Sequence, residues 1–324
     1  MKQKIFTFLL IAAGLTACKK NDSNQPNIRE FDEQKIQAYI SANGLTGFTA
    51  DTTKDGTGTT GIHYKIISQG TGDTLKYSDN ISLVYTLKSF DGKYTSADTI
   101  SNHFTGYLGQ LTVLNQLTGV RLPPGLQLAI HNLLKYKGSN MRVLIPSRLG
   151  YGVNGMGSGS ISNANSRIAG NQSLDLYVHV IGNQDAYDDK VIKNYIAANS
   201  GYIKDFALID SIGTQVKKYY YYKIVTPGTG GIDEISEFTN VTATFTGYLL
   251  NGAVFDTSGA TAITFTPYQY IAGVEEALQK HASKGTFISI LVPSSLGYGA
   301  AARTGIPGNS VLKFDFQITD VKQP

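Results

Sequence analysis

One cysteine, Cys18, stands in 324 residues, so the chain can form no intrachain disulfide and no cysteine-based zinc site. Tryptophan is absent, and charged side chains make up only 16% of residues with a net charge of +4. Lys and Arg are scattered rather than clustered, which argues against a nucleic-acid partner. The histidines His63, His103, His131, His179 and His281 fall in no metal-ligand spacing. No Ser/His/Asp order accompanies a nucleophile turn, so neither a metal nor a cofactor is implied. The GTG triplets lack the strand-to-helix context of a phosphate loop and read as turns. Beyond residue 17 no stretch is apolar enough to cross a bilayer. What is plentiful is apolar surface: 41% of residues are hydrophobic, enough at this length for two ordinary cores and therefore two domains.

The apolar run that does exist lies at the start. Lys2 and Lys4 precede residues 5–17, a stretch of signal-segment length that is too short to span a membrane comfortably. Leu15-Thr16-Ala17-Cys18, the end of the signal segment at residues 1–18, resembles a bacterial lipobox, which implies cleavage before Cys18 and lipidation of that thiol. Residues 19–30 are polar and aperiodic, and read as a tether.

The clearest structural signal lies in residues 241–321. Val241, Ala243 and Phe245 alternate with threonines, as in a strand with one buried face. Asn251-Gly252 suits a two-residue type I′ turn, returning the chain through a strand that ends at Phe255 and Asp256. Val274, Ala277, Leu278 and His281 then recur at helical spacing, with Glu275 and Glu276 in the first turn, Lys280 and Lys284 in the last, and Gly285 as the stop. Strands follow through Ile288, Ile290 and Val292 and through Leu312, Phe314, Phe316 and Ile318, with a loop carrying Tyr298 between them. The expected fold class is α+β, a curved antiparallel sheet over a short helix.

The same order occurs earlier in the chain. HYKIISQGTGD at residues 63–73 returns as YYKIVTPGTGG at 221–231, a period of roughly 157 residues. Helical segments with Ile36, Tyr39 and Ile40, and with Ile192, Tyr195 and Ile196, precede the two copies, the first stopping at Asn43-Gly44. IPSRLGYG matches VPSSLGYG, and Ile168 and Leu176 correspond to Ile306 and Phe314. Copy one, residues 31–183, differs from copy two, residues 184–324, by about a dozen extra residues between Thr95 and Leu122 and by a Gly/Ser/Asn-rich loop at 153–164. Tyrosines 219–222 alternate across a strand and read as packing.

FTGYLLNGAVFDTS, IAGVEEAL, LVPSSLGYG and GIPGNSVLKFDFQI, in this order, resemble an FK506-binding-protein (FKBP) type peptidyl-prolyl isomerase. The resemblance implies two tandem FKBP-like domains and a pocket in the second. It assigns catalytic positions to Phe255, Asp256, Tyr298 and Ile271, the last through its backbone N–H. Phe245, Phe265, Tyr270, Val274, Ile306 and Phe314 would be substrate-binding. Asp256 is expected to sit desolvated in an apolar pocket, held by Tyr298 or backbone N–H groups. Val274 stands where many members have tryptophan, and Phe245 where a tyrosine usually meets the aspartate.

In copy one, Tyr85 keeps the phenol, but Tyr94-Thr95 replaces Phe-Asp, Leu126 lies at the floor, and Pro123 has no N–H to offer. The expectation is an isomerase acting on proline-containing polypeptides, active mainly in domain two. It would assist folding of exported proteins from a lipid anchor in the bacterial envelope, at the outer membrane. A peptide-binding chaperone and a structural scaffold are the alternatives.

Overall fold

The structure is a computed structural model and describes residues 27–54, 56, 58–114, 121–160, 162–211, 214–230 and 235–324. Cys18 and the signal segment lie outside the described residues. In chain order the elements are α1 (Ile28–Ala42), β1 (Thr49–Ala50), β2 (His63–Ser68), β3 (Asn80–Ser89), β4 (Thr95–Ser96), β5 (His103–Tyr107), α2 (Pro124–Ala129), β6 (Asn140–Ile145), β7 (Met156–Gly157), β8 (Arg167–Ile168) and β9 (Leu174–Val180). The second half continues with α3 (Gln184–Ala198), β10 (Ile203–Ser211), β11 (Thr214–Thr226), β12 (Asn240–Leu249), β13 (Val254–Thr257), β14 (Ile263–Phe265), α4 (Ala272–His281), β15 (Phe287–Val292) and β16 (Leu312–Lys322).

Two seven-stranded antiparallel sheets result, and they share one topology. The first runs β1-β2-β6-β9-β3-β4 with β5 also on β3. The second runs β10-β11-β15-β16-β12-β13 with β14 on β12. The duplication read from sequence is thus a duplication of fold, two tandem α+β domains.

Alternation in β12 buries Val241, Ala243, Phe245 and Leu249, and in β16 Leu312, Phe314, Phe316 and Ile318. The short helix α4 lays Gly273, Val274, Ala277 and Leu278 on that face. At about 1.5–3 kcal/mol per large apolar side chain, this burial outweighs helix propensity in holding a ten-residue helix.

The other face of each sheet is covered as well. Ile36 and Tyr39 of α1 pack on Leu144, and Ile192 of α3 packs on Tyr221, Leu291 and Val311. Each domain is therefore a sheet between two helices, not a sheet on one. Tyr219 and Tyr221 reach α3, donating to the Asp185 carbonyl and to Asp189, whereas Tyr220 and Tyr222 face the α4 core.

Several local expectations change. Residues 28–30, read as tether, form the first turn of α1, because Asn27 caps it and Glu30 completes a capping box. Of Asn43-Gly44, only Gly44 is left-handed. α4 stops at His281, and Gly285 turns later, on the way into β15, where Lys284 pairs with Asp320.

The type I′ turn is replaced by a longer one. Leu249 accepts from Gly252 N–H and donates to Ala253, and of the Asn251-Gly252 pair only Gly252 has positive φ, at 88°. Asn251 keeps ordinary φ because its side chain accepts from Ala253 N–H and donates to Asp98 and Ser101 of the first domain. The long β10–β11 hairpin was not expected from the repeat, whose first copy has only Thr49–Ala50 at that place.

Candidate functional site

On the α4 side of the second sheet, aromatic rings collect because β12 and β16 pair Phe245 with Phe316 and Gly247 with Phe314. Phe245 and Phe316 stack at 5.6 Å, Phe314 and Phe316 at 6.2 Å, and Phe255 meets Phe314 edge-on at 5.5 Å. Phe265 and Tyr270 close the group at 4.7 Å. Val274 and Ile306 are buried in the same cluster, and Phe255, Tyr270, Ile271 and Tyr298 are half-buried against it. Gly247 is required here, since a Cβ would stand 2.6 Å from the Phe255 ring. The structure thus brings together all the sequence-named positions except the Asp256 side chain, which is exposed.

That exposure corrects the expectation of a desolvated carboxylate. The Asp256 carboxylate accepts no hydrogen bond from any described residue, because β13 turns its side chain to the solvent edge while Phe255 points in. Its charge is nevertheless felt by two phenols. Burial first, then Asp256 and Tyr298, push the Tyr270 phenol up to about 12. Burial and Asp256 likewise raise Tyr298, against the opposing pull of Arg303, whose guanidinium lies 5.6 Å from that ring. Both phenols are therefore neutral donors at ordinary pH.

Two donors on residues packed against the cluster have no acceptor among the described residues. Tyr298 Oη is one. The other is the N–H of Ile271, the residue before α4, whose own carbonyl accepts from Val274 and Glu275. A helix start leaves such N–H groups unpaired and adds partial positive charge, so a ligand carbonyl would be well received there.

Residues 233–319 match the family model for FKBP-type peptidyl-prolyl cis-trans isomerases. A stretch of the chain is 33% identical over 120 residues to FKBP-type peptidyl-prolyl cis-trans isomerase FkpA of Buchnera aphidicola subsp. Schizaphis graminum, covering 33% of this chain and 47% of that protein. Another is 40% identical over 103 residues to a probable FKBP-type isomerase of Haemophilus influenzae, covering 31% and 42%. The chain spans less than half the length of these curated relatives. The crystal structure of FkpA from Escherichia coli is similar with a TM-score of 0.33 at 28% identity, covering 43% of this chain and 61% of that one.

Two residues of the site were not among the positions expected from sequence: Phe316, which packs against four of the pocket rings, and Arg303. Phe316 was legible as a strand residue, but its rank as the shared floor depends on the register of β12 against β16. Nothing in sequence marks Arg303.

The first domain places its equivalents around an open cavity of about 570 Å³. Tyr85, Tyr94, Tyr151, Asn102, Arg121 and Met156 are among its lining residues. Both inserts reach it, through Leu114 and Arg121 and through residues 155–157 beside the β7–β8 hairpin. Burial, then Tyr94, raises the Tyr85 phenol, and burial, then Tyr85 and Tyr94, raises Tyr151, which donates to the Arg121 carbonyl at 2.9 Å. Among the described lining residues there is no carboxylate, Thr95 stands where the second copy has Asp256, and the residue before α2 is Pro123, without a donor.

Proposed function

We propose that the second domain is a peptidyl-prolyl cis-trans isomerase acting on proline-containing polypeptides, and that the first domain binds polypeptide without turnover. The observation that carries this reading is the pair of unpaired donors, Ile271 N–H and Tyr298 Oη, beside an apolar aromatic cluster. Rotation about an X-Pro bond meets a barrier of about 18–20 kcal/mol arising from amide resonance. The twisted amide has lost that resonance and part of its dipole, so removal from water favours it over the planar ground state.

In this reading, Phe255, Phe245, Phe265, Phe314 and Ile306 hold the proline ring over Val274. Ile271 N–H and Tyr298 hold carbonyl oxygens on either side of the rotating bond. As nitrogen ceases to donate, the carbonyl carbon becomes electron-poor, and the Asp256 charge at the rim stabilises it. A protease-coupled assay on a short X-Pro peptide is expected to show turnover by the full chain. Binding of unfolded polypeptide with no turnover would instead support the chaperone reading.

The cellular setting is part of the proposal. The signal-like residues 1–18 and the lipobox-like Leu15–Cys18 motif support lipid anchoring at Cys18 in the bacterial envelope, at the outer membrane and facing the periplasm or the surface. Among the described residues no helix is long and apolar enough to cross a membrane. Cys18→Ser is expected to move the protein from the membrane fraction to the soluble fraction with unchanged circular dichroism. Continued membrane fractionation would remove the anchor from the proposal.

A further inference from the structure

The first domain touches the second at two segments that flank its pocket and reaches a third, the Tyr298 loop, through second-domain residues. The turn between β12 and β13, which leads into Phe255 and Asp256, is held by Asn251 Nδ2 donating to Asp98 and, at 2.9 Å, to Ser101 Oγ. Ile100 from the same first-domain loop packs on the second-domain core.

The loop carrying Ile306 is gripped by β5. Thr105 Oγ1 donates to the Gly308 carbonyl and accepts from Asn309 Nδ2, each at 3.3 Å. The backbones approach closely enough that a Cβ on Gly308 would stand 3.2 Å from Thr105 Cβ. This loop lies against the pocket, since a Cβ on Gly305 would stand 3.9 Å from Phe255 Cβ. Asn309 N–H in turn donates to the Gly299 carbonyl at 2.7 Å, tying it to the Tyr298 loop.

The Tyr298 loop is reached by a second route. Ser82 Oγ, opposite Thr105 on β3, donates to Gln184 Oε1 at 2.9 Å and lies 2.8 Å from His103 Nε2. Burial lowers His103 to about 4, so the ring is neutral and gives its Nε2–H to that hydroxyl. Gln184 Nε2 donates to Asp188 Oδ1 at 2.7 Å, and Asp188 Oδ2 accepts from Ser294 N–H at 2.8 Å and Ser294 Oγ at 2.6 Å. Ser294 then closes the turn by accepting from Gly299 N–H. The hydrogen bonds run without a break from Ser82 through Gln184 and Asp188 to Ser294, so each side chain is held by the next.

We propose that the first domain is a positioning partner of the second-domain pocket, with Asp98 and Thr105 holding the rim segments in the geometry that receives an X-Pro peptide. This deepens the isomerase reading and rests on it for its kinetic consequence. Loops held in advance need not be ordered by the ligand, so the coupling acts on peptide affinity.

The test uses the full chain with Asp98→Ala and Thr105→Val together, and Asp98→Asn alone as the conservative variant, which keeps an acceptor for Asn251. Amide hydrogen exchange at residues 303–310 is expected to quicken at least about tenfold in the double variant while β15 and β16 are unchanged. KM for the X-Pro peptide is expected to rise about fivefold with kcat within about twofold, and Asp98→Asn to stay close to the parent. Unchanged rim exchange overturns the proposal whether or not the chain is active. Faster exchange with unchanged KM in an active chain overturns it too. A parent chain without turnover sinks the isomerase reading separately, and rim exchange then decides the positioning claim alone.

Discussion

Asp256→Ala is expected to lower kcat/KM for an X-Pro peptide about tenfold, or ~1.4 kcal/mol of transition-state stabilisation, and to leave the melting temperature unchanged. The stability half follows from exposure. The Asp256 carboxylate is at the solvent edge and accepts no hydrogen bond from a described residue, so its removal leaves no buried partner unpaired. The kinetic half follows from its field, which reaches both Tyr270 and Tyr298 and therefore the space between them where a rotating amide would lie. An exposed charge acts through water, so the loss is expected to shrink in about 1 M salt, where the screening length falls to roughly 3 Å.

Asp256→Asn should behave like alanine if charge is what matters. In both variants the late-titrating Tyr270 phenol moves down from about 12, because one of the causes that raises it has gone. Full turnover in both variants would remove the carboxylate from the mechanism and leave the pocket to work by desolvation alone.

Phe316→Ala should destabilise the second domain by about 3–5 kcal/mol, the range for a large ring deleted from a packed core. Phe316 has no exposed surface and stands within 6.2 Å, ring to ring, of Phe245, Phe265, Tyr270 and Phe314. Small shifts of these neighbours cannot fill the hole, because each ring is fixed by its own strand or by the start of α4. At roughly 2–4 °C per kcal/mol for a chain segment of this size, melting of the second domain is expected to fall by about 10 °C. Phe316→Leu, which keeps most of the volume, should lose less than half as much. A loss below about 1 kcal/mol for the alanine variant would show that the aromatic floor is loosely packed and that the cluster is not the second core.

Strand alternation, helix spacing and the repeat were legible in the sequence because each depends on neighbours within a few residues. Val241 to Phe245, the α4 stripe of Val274, Ala277 and Leu278, and the run Leu312 to Ile318 all lie buried where the period put them. The aromatic cluster was named through the resemblance to a known family, and Phe245, Phe255 and Phe314 do occupy inward positions on paired strands.

Long-range placement decided the remainder. Whether Asp256 is buried depends on how β13 crosses the end of β12, where a bulge between Gly247 and Tyr248 shifts the register, and no local pattern encodes that bulge. The second helix layer on each sheet, Phe316 as shared floor and Arg303 over Tyr298 depend on segments far apart in the chain. So does the turn at Asn251, whose side chain satisfies Asp98 across 153 residues of sequence. Local periodicity specifies which side chains turn inward, whereas the packing of distant segments specifies which polar groups meet water, a ligand or the neighbouring domain.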